Sequence, residues 1–133
     1  MCDVPFYAQT MNKDTVSSQH SFVVIEPDPV ISLDLDGILK SEFPEAKLTL
    51  FRGAEEAEKY LLSVASPLCI VVNSSAASAG LLSVLRDCTA RMSKVVFIGP
   101  MGAVDFPSFT IQMPFTSEMI LSTLDTLGPL RRL

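Results

Sequence analysis

The stretch Pro67-Leu68-Cys69-Ile70-Val71-Val72-Asn73-Ser74-Ser75 decides how the rest of the chain is read. Leu68 to Val72 is an unbroken apolar run that stops at a polar Asn73. A run this short, rich in β-branched residues and preceded by Pro67, reads as a strand buried on both faces. Such strands occupy the middle of parallel sheets covered by helices. In open α/β sheets the chemistry collects beyond the carboxyl ends of the strands, which is where Asn73 falls.

Working outward, the same rhythm recurs on both sides. Phe22 to Ile25 forms an apolar run ending at Glu26-Pro27-Asp28-Pro29, a strand followed by a helix start: Asp28 suits an N-cap and Pro29 the first turn. That helix is expected to end near Ser41, because Phe43 precedes Pro44. Leu48 to Phe51 gives a second strand and Ala54 to Ala65 a helix. Beyond Asn73, Gly80 to Arg91 reads as a helix, Lys94 to Ile98 as a fourth strand and Phe109 to Met113 as a fifth. Pro114 to Ser117 leads into a last helix, capped by Thr116 or Ser117 and stopped by Gly128-Pro129. The expected fold is therefore α/β, a doubly wound five-stranded parallel sheet in the flavodoxin-like order 2-1-3-4-5. Between the fourth and fifth strands, Pro100 to Ser108 holds two prolines and a glycine. It is too short for an ordinary crossover helix, so the fourth helix is expected to be shortened or missing. Residues 1–19 read as a flexible leader and 20–133 as the single domain.

Composition narrows the function. The chain has 133 residues, 48% hydrophobic and 19% charged, with a net charge of −5. This makes a globular domain with a real core, and the acidic balance argues against a nucleic-acid surface. No apolar run reaches the ~20 residues of a membrane span. The N-terminus lacks a signal-peptide pattern, and three cysteines, Cys2, Cys69 and Cys88, have no metal-like spacing. A cytoplasmic protein is expected. His20 is the sole histidine, which leaves no Ser-His-Asp or Cys-His set.

Three local patterns, in order and at spacing, resemble the receiver domains of two-component response regulators over about Ser21 to Leu127. They are Glu26-Pro27-Asp28 after the first strand, Val71-Val72-Asn73 followed by Gly80, and Met113-Pro114-Phe115 after the fifth. The resemblance implies phosphoryl transfer from a partner kinase to an acidic side chain, with Mg²⁺ held by neighbouring acids. Residue by residue, the machinery is altered. The phospho-acceptor position holds Asn73. The acidic metal positions fall on Glu26 and Pro27, with Asp28 displaced by one. The hydroxyl switch position holds Gly99, the aromatic switch Thr110 and the lysine position Met113. What the resemblance implies is thus a degenerate receiver domain that signals through protein–protein contact. It would need no cofactor or metal and would not be an enzyme. A small-molecule or anion-binding domain using the same edge is the alternative.

The residues leave finer readings open. Asn73 either hydrogen-bonds its own loop or binds a ligand. Glu26 is either a solvated acid at a helix N-terminus or a cation ligand, and Ser74, Ser75 and Ser78 are either a polar loop or an anion nest. Met113 reads as an apolar plug. Without the fourth helix, Val96, Ile98, Phe106, Phe109 and Ile111 are expected to leave an apolar flank open to a partner helix or a second copy.

Overall fold

The computed structural model describes residues 21–64 and 68–126. The expected leader, His20, Cys2, Pro67 and the Gly128-Pro129 stop lie outside them. Strands β1 (Ser21–Ile25), β2 (Lys47–Phe51), β3 (Cys69–Asn73), β4 (Lys94–Ile98) and β5 (Phe109–Ile111) form one sheet, and every pair is parallel. Helices α1 (Pro29–Glu42), α2 (Ala54–Ser63), α3 (Ala79–Ala90) and α4 (Ser117–Thr126) connect and follow them. The order across the sheet is β2-β1-β3-β4-β5, as the apolar rhythm predicts.

Strand alternation divides the core in two. Val23, Ile25, Ile70, Val72, Val95 and Phe97 point to the face covered by α2 and α3. Phe22, Val24, Cys69, Val71, Val96, Ile98 and Ile111 point to the face covered by α1 and α4, meeting Leu35, Leu39, Ile120 and Leu124. β3 is buried on both faces along Cys69–Val72. The Cys69 thiol is fully buried, and desolvation pushes its pKa up to about 12 despite the opposing charge of Lys94. Burial also raises the Cys88 thiol. A thiolate is the reactive form, so alkylation of Cys69 by a maleimide at neutral pH is expected only after unfolding. The sign of the pH effect follows. Above the ordinary value of 9.0 the unfolded thiol loses a proton that the folded one keeps. Stability is therefore expected to fall as pH rises from there towards about 12, as a thermal melt series would show.

The crossover from β4 to β5 contains no helix, in agreement with the sequence. The open apolar flank is a different matter, and here the expectation is corrected. Val96, Ile98 and Ile111 are buried beneath α1 and α4, because their parity on the strands aims them away from the gap left by the absent helix. The residue that faces the gap is Phe97, and Phe106 fills it, with ring centroids 6.2 Å apart. Met101 and Val104 pack against the same cluster. Phe106 is itself buried, leaving only Phe109 of the five substantially exposed. The loop does the covering work of a helix with one aromatic anchor. Arg86 pairs with Asp105 at 3.1 Å beside it, an exposed contact of small energetic value.

Candidate functional site

The carboxyl ends of β1, β3, β4 and β5 bring Glu26, Asn73, Gly99 and Met113 to one edge of the sheet. Glu26 follows β1 directly and its backbone N–H donates to Phe51 O at 2.9 Å, so the chain is still tied to the sheet there. This holds its side chain inward: Glu26 is 1% exposed. The expected solvated acid is therefore a buried one. A buried carboxylate needs donors, and it has two. Asn73 Nδ2 donates to Oε1 at 2.8 Å, and the Asp28 backbone N–H donates to Oε2 at 3.0 Å. Asn73 in turn accepts the Ser75 N–H at Oδ1, 2.9 Å, where the chain enters a short 3-10 turn, Ser74–Ala76. Asn73 thus does more than bond its own loop. Its amide is a two-way clamp between β1 and the loop after β3, using its donor on one side and its acceptor on the other.

Asp28 is not directed at this pair. Its Oδ1 accepts the Val30 N–H at 2.8 Å and caps α1, the role its place before Pro29 suggests. Pro27 is exposed and has no ligand atom in its side chain. Thr110 is exposed on β5. Met113 is 42% exposed, so it points outward and is no plug, contrary to expectation. The Ser78 hydroxyl accepts the Leu81 N–H at 3.1 Å and so caps α3. Glu58 also belongs to this edge. Its carboxylate reaches from α2 to the start of α3, 3.4 Å from Ser78 Oγ. Nothing in its local sequence separates it from its acidic neighbours Glu55 and Glu56.

Gly99 adds a steric constraint that its lack of a hydroxyl does not reveal. It sits at φ +99°, and a Cβ there would lie 2.8 Å from Ser74 Oγ. Its N–H donates to Ile111 O at 2.8 Å, which fixes the turn. Returning a hydroxyl at this position is therefore expected to damage the fold. Gly99→Thr should cost more than ~1 kcal/mol, read as a lower denaturation midpoint with an unchanged slope.

The metal that the receiver resemblance implies does not fit this geometry. A divalent cation of this kind requires several free oxygens in near-octahedral array. Glu26 and the neutral Asn73 oxygen are engaged with protein donors, Pro27 offers no side-chain oxygen, and Asp28 serves as a cap, so too few ligand oxygens converge here. Among the described residues no group of three or more His, Cys, Asp or Glu side chains is placed to hold a metal ion.

By sequence, no protein-family model matches the chain and no curated protein is recognisably related to it. By structure, it is similar to receiver domains. A response regulator receiver protein of Sinorhizobium medicae superposes with a TM-score of 0.68 at 18% identity, covering 81% of this chain and 93% of that one. The receiver domain of a sensor histidine kinase of Pseudomonas aeruginosa, which carries a magnesium ion in its active-site cleft, gives 0.66 at 11%, covering 82% and 98%. The chemotaxis response regulator CheY4 of Vibrio cholerae gives 0.65 at 10%, covering 81% and 98%. At these identities the likeness establishes the receiver fold, over most of this chain and nearly all of each of those three.

Proposed function

We propose that the chain is a receiver-like domain that acts in signal transduction by protein–protein contact and has no phosphoryl-acceptor chemistry. The observation that supports this reading most strongly is the 2.8 Å hydrogen bond from Asn73 Nδ2 to Glu26 Oε1. In a phosphorylatable site these two positions are both anionic, and a cation between them offsets their repulsion. Here one is an amide, so donor meets acceptor directly and the edge closes without a cation. An amide oxygen is also a poor nucleophile toward phosphorus. Its lone pair is delocalised, and this one is further engaged with the Ser75 N–H. The absence of side-chain charge at Met113 and of a hydroxyl at Gly99 removes the groups that would contact a phosphoryl oxygen. The scaffold then serves as a rigid platform whose surface a partner reads.

Incubation of the full chain with acetyl phosphate and magnesium, followed by intact-mass spectrometry, tests this reading. No mass increase from a phosphoryl group is expected. A hydroxylamine-labile phosphate on the folded protein would overturn it.

A further inference from the structure

From the backbone of β2, the edge strand of the sheet among the described residues, we propose that a second copy of this chain pairs antiparallel with it about a two-fold axis at Thr49, joining two five-stranded sheets into one. The Glu26 N–H bonds to Phe51 O, so the backbone groups of Phe51 face β1. By strand alternation those of Thr49 and Lys47 do too, whereas those of Leu48 and Leu50 face outward from the sheet edge. Of the two-fold registers these outward groups permit, the one centred on Thr49, the middle of the strand, pairs both outward leucines of each copy. Leu48 exchanges both hydrogen bonds with Leu50 of the second copy, the symmetric pair does the same, and Thr49 lies opposite Thr49.

Side chains on both faces agree with that register. Leu48 packs with the α1-side cluster, and Leu50, two residues on, shares its face and is 44% exposed. Pairing brings each exposed Leu50 beside Leu48 of the other copy and covers apolar surface that the single chain leaves wet. On the opposite face, Phe51 stacks on Tyr60 with centroids 5.4 Å apart, and Lys47 Nζ sits 6.0 Å from the Tyr60 ring. In the paired register Lys47 faces Phe51 of the second copy, so each ammonium approaches an aromatic pair across the axis. Thr49 opposite Thr49 adds a favourable cross-strand pair. β2 also lacks the devices that protect sheet edges. It has no proline, and its one charge, Lys47, stands at its start over an aromatic ring. The other edge is blunted. Gly99 N–H bonds to Ile111 O, so within the three-residue β5 only Thr110 faces outward, and Pro114 follows closely.

Sedimentation equilibrium of the full chain across the micromolar range, with amide hydrogen exchange on the same samples, tests the pairing. A monomer–dimer equilibrium is expected, with exchange at Leu48 and Leu50 slowing as concentration rises. Thr49→Lys places like charges opposite each other and should weaken dimerisation at least ~10-fold. Thr110→Lys, on the other edge, should leave it unchanged. A chain that stays monomeric, a dimer without concentration-dependent protection at Leu48 and Leu50, or a dimer lost through Thr110→Lys but not Thr49→Lys would overturn the proposal.

Discussion

Asn73→Asp is expected to destabilise the protein by roughly 2–4 kcal/mol at neutral pH, although it supplies the acid that the proposed receiver-like reading assigns to this position. The substitution removes the donor that satisfies Glu26 Oε1 at 2.8 Å and puts a second negative oxygen in its place. Glu26 is buried, so solvent does little to screen the repulsion. Millimolar Mg²⁺, which supplies a cation between the two carboxylates, should relieve it. Chemical denaturation of the variant with and without Mg²⁺, beside the parent, measures the effect. The parent should be indifferent to Mg²⁺, because a ligand that binds the folded state weakly adds almost nothing to its stability. Phosphorylation should not return in the variant, since Gly99 and Met113 are unchanged. A variant as stable as the parent at neutral pH in the absence of metal would contradict the clamp.

The second large effect is expected at Phe106. Phe106→Asp should cost at least ~3 kcal/mol, whereas Phe109→Asp should cost less than ~1 kcal/mol. Phe106 is 9% exposed and packs on Phe97 in place of a helix, so a carboxylate there is buried without a partner. Phe109 is 38% exposed and a charge there stays in water. Thermal melts of the two variants decide the matter. Similar losses for both would mean that the loop does not anchor the crossover through Phe106.

The contrast between these two phenylalanines shows where sequence reasoning stops. The strands were legible because a short apolar run such as Cys69–Val72 has few other uses, and α1 because Asp28 and Pro29 announce its start. The absent crossover helix was legible from Pro100, Gly102 and Pro107. What the pattern could not provide was which face of the sheet the gap would open. Val96 and Ile98 alternate with Phe97, and only the three-dimensional order of the helices tells which parity loses its cover. The site followed the same division. That Asn73 and Glu26 would share one edge was readable from two strand ends. Their hydrogen bond spans 47 positions in sequence, and nothing local marks Glu26 as buried, so a charged residue after a strand reads naturally as solvated. In the sequence Gly99 shows only as a missing hydroxyl. Its positive φ and the crowding from Ser74 belong to the turn that Ile111 closes.

On the proposed function, the Asn73 amide occupies the place of the acid–metal pair. The most direct test follows the Asn73 side-chain NH₂ resonances in ¹H–¹⁵N spectra during a titration with Mg²⁺ and then beryllofluoride. In the parent protein they should be slow to exchange with solvent and should not move. In Glu26→Gln the donor loses its charged acceptor and the resonances should shift, with faster exchange. A saturable shift of the parent's Asn73 resonances on adding Mg²⁺ or beryllofluoride would show a working phosphoryl site and contradict the account.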